Sequence, residues 1–414
     1  MHPSDVELGL DRVKVVIDAM ALSLPGTVII VAGTNGKGSV CAMIESIALQ
    51  AGYRVGTYTS PHLVHFNERG RINGDSVTDD QLVHAFEAVD AARQEVPLTY
   101  FEFTTLAILS VFADAQLDLN ILEIGLGGRL DAVNAFEPHV SILTCVDVDH
   151  AQFLGDNREA IGSEKAHVFR PGKAAICADP QPPQSVLDHA AQIGADLWLI
   201  NRDFSVSGDR QQWAYAGRDQ RRNSLAYPAL RGANQLLNAA AALAAFEALR
   251  QVLPIAQKDV RQGFAAVQLP GRCQIIPGTP TVVLDVAHNP HAVAHLAANM
   301  DNMGFFPYTY AVFGAMADKD IDALLDQLGE RIDHWIVCDL PVARAATARS
   351  LARILRSRGA GATQESTITE CPSAHDGLRT ARKQAGEDDR IIVFGSFFTV
   401  ADILSAGGDS NKDE

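Results

Sequence analysis

Apolar positions along this chain fall into two patterns, and the two alternate. Stretches of strand length, continuously apolar at 28–32 and predominantly apolar at 119–124, 140–146 and 173–177, are joined by a more mixed short strand at 54–58. Between them apolar residues recur at helical spacing, over 40–51, 78–94, 99–115 and 157–169. Residues 4–24 read as a short turn and an amphipathic helix leading into the first strand. An alanine- and leucine-rich helix is expected from 230 to about 252, where small side chains permit close packing, and a shorter one over 258–267. From 281 the rhythm restarts, with strands at 281–284, 308–313, 334–338 and 390–394 and helical patterns between them, one running from 290 to about 303. Strands alternating with helices predict an α/β protein built on mostly parallel sheets. Only 196–228 breaks the pattern, with Ser-Gly-Asp turns and Arg218, Arg221 and Arg222 close together; a small irregular or β subregion is expected there. Leu269-Pro270-Gly271-Arg272 is a natural end to a first domain. The expected division is therefore 1–270, a linker over 271–280, a second domain over 281–406, and a disordered polar tail over 407–414.

Composition narrows the class. A chain of 414 residues is too long for one ordinary core. With 47% hydrophobic and 20% charged residues it reads as a globular enzyme. A net charge of −16 argues against a nucleic-acid binder, though a local basic loop can still hold an anionic substrate. The six cysteines are scattered, with no C-x-x-C pair, and read as reduced, largely buried thiols. No apolar signal core opens the chain, and no stretch approaches eighteen apolar residues. The expectation is a cytoplasmic protein that binds neither nucleic acid nor membrane.

The first candidate chemistry lies where the run at 28–32 breaks into Gly33-Thr34-Asn35-Gly36-Lys37-Gly38-Ser39 and a helix begins. Glycines let backbone N–H groups converge on an anion, and the helix start adds about half a positive charge. Lys37 supplies a mobile cation, and Ser39 a hydroxyl suited to Mg²⁺ or a phosphate oxygen. The common phosphate loop runs G-x-x-x-x-G-K-S/T, whereas here Gly38 separates Lys37 from Ser39. A nucleotide triphosphate is the expected ligand.

Further candidates sit at expected strand ends, where open α/β sheets collect ligands. Ser60 precedes Pro61 and His62 in a polar loop, and taken alone is an ordinary turn serine. Glu123 lies inside an apolar strand, so its carboxylate requires a cation, either a metal or a buried basic partner. Asp147, Asp149 and His150 cluster after the next strand; His150 is either a metal ligand or a loop residue. Lys165, beside Glu164 on a helix, reads from the residues alone as solvated surface.

The phosphate-loop variant, Ser60-Pro61-His62, Glu123 with G-L-G-G-R-L-D-A, His150, Lys165, L-P-G-R at 269–272 and D-V-A-H-N-P at 285–290 come in a recognisable order. Together they resemble the folate branch of the Mur ligase family, the dihydrofolate and folylpolyglutamate synthases, over nearly the whole chain. That resemblance implies a P-loop ATPase domain with a mostly parallel sheet and pterin-binding elements, followed by a smaller Rossmann-like α/β ligase domain. It implies that Gly36, Lys37, Gly38 and Ser39 bind the triphosphate, with Asn238, Arg272 and Asp285 also contacting ATP. Ser60, Glu123 and His150 match its magnesium ligands, for two Mg²⁺ ions. Lys165 matches a lysine that the family carries as a carbamate, and His288 belongs to the turn near the nucleotide; Lys37, Lys165 and His288 are the catalytic candidates. Leu8, Gly9, Leu10, Phe101 and Glu102 match pterin-contacting segments, and Asp131 and Asn134 match residues near the pterin pocket.

The family reaction is ATP-driven amide formation. It would join L-glutamate to 7,8-dihydropteroate and extend tetrahydrofolate derivatives by γ-linked glutamates, through an acyl phosphate shielded from water by domain closure. A monomer is expected. The alternatives are a monofunctional folylpolyglutamate synthase, a cell-wall precursor ligase of the same family, and a nucleotide-binding regulatory protein without catalysis.

Overall fold

The apolar runs of the first half assemble side by side. In the computed structural model, which describes residues 7–209, 211–232, 234–328, 331–360 and 367–409, they form one eight-stranded sheet. Its strands are β1 (Thr27–Ala32), β2 (Val55–Tyr58), β3 (Gly70–Ile72), β4 (Asp75–Ser76), β5 (Leu119–Glu123), β6 (Val140–Leu143), β7 (Ala174–Cys177) and β8 (Asp196–Leu199), in the order β4-β3-β2-β5-β1-β6-β7-β8. The six strands from β2 to β8 run parallel, while β3 and β4 add an antiparallel edge. Every residue of β1 is buried, which is why it reads as an unbroken apolar run rather than an alternating one.

Register carries the functional consequence. Val31 of β1 lies beside Glu123 of β5, Ala32 beside Leu143 of β6, and Tyr58 of β2 beside Leu122. The glycine loop, Glu123, the Ser60 loop and the segment after Leu143 therefore leave the sheet at one edge. β1 sits between β5 and β6 there, so the chain connects away from it on both sides, which is where such sheets bind ligands.

The weakly patterned stretch resolves into an antiparallel sheet of β9 (Ser205–Gly208), β10 (Trp213–Ala216) and β11 (Arg221–Leu225), while β8 before it belongs to the large sheet. Tyr215 Oη donates to Glu247 Oε2 at 2.7 Å, tying β10 to the alanine-rich helix Gln235–Ala248. Arg218 lies 4.3 Å over the Trp198 ring and pairs with Asp196 and Asp203, so it holds strands together. The alanine-rich helix is shorter than its composition suggested, and Leu230 to Gly232 precede it outside the helix.

The second sheet comprises β12 (Gln274–Ile276), β13 (Thr281–Leu284), β14 (Thr309–Phe313), β15 (His334–Cys338), β16 (Thr367–Cys371) and β17 (Arg390–Phe394), in the order β12-β13-β17-β14-β15-β16. All neighbours are parallel except β12 and β13. Val283, Ala311, Phe313, Val337, Ile392 and Phe394 form the centre of its core.

The chain divides into two compact units with the main boundary between Gln268 and Leu269. The stretch expected to be a linker instead carries β12, an edge strand fixed by pairing with β13. The last helix, Phe397–Asp409, enters the tail expected to be disordered from 407, and 410–414 lie outside the described residues. All six cysteines are free thiols, five of them buried. Among the described residues no helix is long and apolar enough to cross a membrane.

Candidate active site

The glycine loop is built by close approach. Gly33 has φ +145°, and a Cβ there would lie 1.9 Å from Thr144 Oγ1 on the segment after β6. Gly36 has φ +88° and caps the helix Lys37–Gln50; its Cβ would lie 2.7 Å from Asn238 Oδ1. Both positions exclude side chains by strain and by space. Thr34 exchanges hydrogen bonds with the Asp147 backbone, at 3.0 and 2.9 Å, and Thr144 Oγ1 donates to the Asn35 carbonyl at 2.6 Å. The segment between β6 and His150 thus braces the loop from one side.

From the other side the helix Gln235–Ala248 braces the loop through polar side chains. Asn238, nearly fully buried, donates through Nδ2 to Gln235 Oε1 at 3.0 Å, and Gln235 Nε2 donates to the buried Ser39 Oγ at 3.4 Å. Gly36, Asn238 and Ser39 are therefore brought together, with Lys37 and Gly38 opening the helix beside them.

Two lysines share the loop's first carbonyl. Lys37 Nζ donates to Gly33 O at 3.0 Å and Thr34 O at 3.3 Å; Lys165 Nζ donates to Gly33 O at 3.2 Å. Lys165 is only 5% exposed, so the surface reading of this residue is overturned: the helix Arg158–Ala166 turns it inward, while Glu164 takes the outward ion pair with Arg129. Burial, reinforced by the Lys37 charge, pushes the Lys165 ammonium down to about 7.

Glu123 and Ser60 meet at the ends of β5 and β2, where Ser60 N donates to Glu123 Oε2 at 3.2 Å, and Glu123 is 5% exposed. His150 lies beyond β6 with φ +52°, at the start of the short helix Ala151–Leu154 and bonded through its N–H to Asp149. Among the described residues no three His, Cys, Asp or Glu side chains converge into a cage. One buried carboxylate with hydroxyl oxygens at a phosphate loop fits Mg²⁺, which is bound by few protein oxygens and completes its shell with phosphate and water. Glu123, Ser60 and Ser39 are the groups that would hold it here, with His150 from the far side of β1.

The residues expected around a pterin form a connected corner. The ring of Phe101 occupies the space a Cβ on Gly125 would enter, 2.5 Å away. Asp131, buried, accepts from the backbone N–H of Gly125, Leu126 and Val133 at 2.9 to 3.0 Å; burial outweighs these bonds and pushes its carboxyl up to about 6. Asn134 donates to Arg129 O and His167 O and accepts from Arg170. Leu8, Gly9 and Leu10 are partly buried and lead into the helix Asp11–Met20.

Glu102, 4% exposed, has a structural task in this corner. Both its oxygens accept from Arg12 Nε, at 2.9 and 2.8 Å, and Oε2 also accepts from Thr99 N in a capping box that starts the helix Tyr100–Asp114. Breaking a buried pair strands the remaining charge. Arg12→Met should therefore cost about 3 kcal/mol in urea unfolding, and adding Glu102→Gln to that variant should recover part of it. Unchanged stability in Arg12→Met would contradict this role.

In the second unit Asp285 follows β13 and is held by Cys273 N at 2.9 Å and Ala287 N at 2.8 Å; burial raises its carboxyl and the Arg272 charge opposes this. His288 Nδ1 bonds the Val286 carbonyl at 2.8 Å. The Phe397 ring lies 5.1 Å from the Arg272 guanidinium and 5.8 Å from the His288 ring, so one aromatic positions both.

Two family descriptions cover this architecture: the Mur ligase middle domain matches residues 31–246, and the Mur ligase glutamate ligase domain matches 271–397. The dihydrofolate synthase/folylpolyglutamate synthase of Escherichia coli K12 is 39% identical over 98% of this chain and 92% of its own. The chain belongs to the dihydrofolate synthase/folylpolyglutamate synthase family of Mur ligases. Among solved relatives, E. coli FolC in complex with DHPP and ADP superposes with a TM-score of 0.92 at 37% identity, over 99% of this chain and 96% of that one. The Yersinia pestis bifunctional synthase complexed with AMPPNP and Mn gives 0.90 at 40% identity, over 99% and 95%.

For a Mur ligase of this branch, three contributors escaped sequence reasoning. Gln235 sits one residue past Asn234 in a motif read only for its helix, and no local pattern shows its bond to Ser39. Phe397 follows β17 in an apolar run, where an aromatic reads as core. Arg12 pairs across ninety residues with Glu102.

Proposed function

We infer that this chain is a bifunctional ATP-dependent ligase. It joins L-glutamate to 7,8-dihydropteroate, giving dihydrofolate, and adds further γ-linked glutamates to tetrahydrofolates. The observation that carries the reading is the convergence of Lys37, Lys165 and the buried Glu123 at one sheet edge, in a chain related over its whole length to enzymes of that name.

A free carboxylate is a poor electrophile and must first be activated. The pterin-bearing carboxylate attacks the γ-phosphate in line, ADP leaves, and an acyl phosphate forms. The backbone amides of residues 33–39 and the Lys37 ammonium orient the triphosphate and offset charge building on its oxygens. The glutamate amino group then attacks the acyl carbon, loses a proton and expels phosphate. Mg²⁺, when bound, supplies charge neutralisation between the two anionic reactants. Arg272, Asp285 and His288 are assigned to the nucleotide and to the second half of the reaction. A carbamate on Lys165 would turn the loop's second cation into an anion able to support the metal. Six free thiols support a reducing compartment, and we assign the enzyme to the cytoplasm as a monomer.

The test is glutamate-dependent ADP release by the purified full chain, with dihydropteroate and with tetrahydrofolate separately. Turnover with both is expected. Turnover with tetrahydrofolate alone would make it monofunctional, and turnover with neither would overturn the reading.

A further inference from the structure

The helix Pro290–Asn302 starts at the turn that carries Asp285 and His288, and its first turns hold two histidines with no part in the reaction above. His291 and His295 are spaced i, i+4, which places them on one helix face. Their Nε2 atoms lie 3.1 Å apart, with ring centroids 4.3 Å apart and ring planes at 88°. Both are partly buried. The backbone beneath them is fixed: Asn289 Oδ1 caps the helix by accepting from Ala292 N at 2.9 Å, and Pro290 occupies its first turn.

We propose that His291 and His295 form a bidentate imidazole site for a borderline transition-metal ion such as Zn²⁺ or Cu²⁺. Zn–N bonds are about 2.0–2.1 Å, so two nitrogens on one ion lie about 2.9 Å apart at a right angle and about 3.3 Å apart at the tetrahedral angle. The observed 3.1 Å falls between. Two histidines four residues apart on one helix face are the arrangement that chelates zinc in other proteins. Loading needs little rearrangement: the ring that now donates through Nε2 moves that proton to Nδ1, and both Nε2 lone pairs then face the ion. Water completes the shell. Imidazole pairs favour zinc and copper, whereas Mg²⁺ demands hard oxygen ligands, so this site and the Mg²⁺ site expected at the glycine loop select different ions.

The experiment titrates Zn²⁺ into chelator-stripped full-length protein against a chromophoric indicator, in excess Mg²⁺. A Zn²⁺ site is expected that His291→Gln and His295→Gln each weaken about tenfold or more. Circular dichroism checks that both variants stay folded. As a second readout, Cu²⁺ bound to the wild type should give an electron paramagnetic resonance spectrum with two equatorial imidazole nitrogens, reduced to one in either variant. Zn²⁺ affinity unchanged in both variants, displacement of Zn²⁺ by Mg²⁺, or a copper spectrum without the nitrogen pair would each overturn the proposal.

Discussion

Lys37→Ala will abolish both ligase activities, lowering kcat by roughly 10³-fold with either pterin substrate, while the protein stays folded. The two effects separate for a physical reason. The Lys37 ammonium donates two charge-assisted hydrogen bonds, to Gly33 O and Thr34 O, each worth about 1.5 kcal/mol at this partly exposed site. It also repels Lys165 across a shared carbonyl, and removing it relieves that repulsion. Stability should therefore change by less than about 3 kcal/mol. On the proposed mechanism, catalysis would lose a cation positioned at the charge that develops during phosphoryl transfer. Steady-state assays with thermal melts on the same preparation decide it. Retained turnover would remove Lys37 from the chemistry, whereas a collapsed melt would make its role structural.

Lys165→Ala has the second large effect, with opposite signs on activity and stability. Ligase turnover should fall by roughly 10²-fold or more, and small carboxylates such as acetate should restore part of it by entering the space of a carbamate. No rescue, with nucleotide and metal affinity intact, would count against a carbamate. Stability should move the other way, because the buried amine costs folding energy. Its pKa is about 7 in the folded chain against 10.5 ordinarily. Between those values the unfolded chain holds a proton that the folded chain has released, so stability rises with pH across that window. Below about pH 7 both states are protonated and the contribution is lost. Urea midpoints from pH 7 to 10 should climb in the unmodified wild type and climb less in Lys165→Ala.

Much of the frame was legible because continuous burial leaves a mark on sequence. β1, β5, β6 and β7 are almost wholly buried and read as predominantly apolar stretches. β16 left no such mark: Thr367 to Cys371 mix polar and apolar residues at a sheet edge, and their parallel pairing with His334 to Cys338 makes them a strand. β12 was hidden for a related reason, since three residues between a glycine turn and a proline look like a connector until β13 pairs with them. At the site, the glycine loop declared itself through residue types that have few other uses together. Lys165 did not. A lysine beside a glutamate on a helix looks the same whether it faces water or a carbonyl 132 residues away, and only the resemblance marked it. Glu102 shows the reverse, since its Thr99 cap and its bond to Arg12 account for its burial before any ligand is invoked.

The carbonyl shared by Lys37 and Lys165 also bears on timing. An amine captures carbon dioxide only in its neutral form, and burial, reinforced by the neighbouring Lys37 charge, keeps Lys165 near that form. A triphosphate settling on the same loop would reverse the local field, recharge the amine and close it to carbon dioxide. If Lys165 carries a carbamate, that modification is expected to precede nucleotide binding. ATP-saturated protein prepared without bicarbonate should turn over only after a lag once bicarbonate is added, and the length of that lag would then record how often the nucleotide leaves.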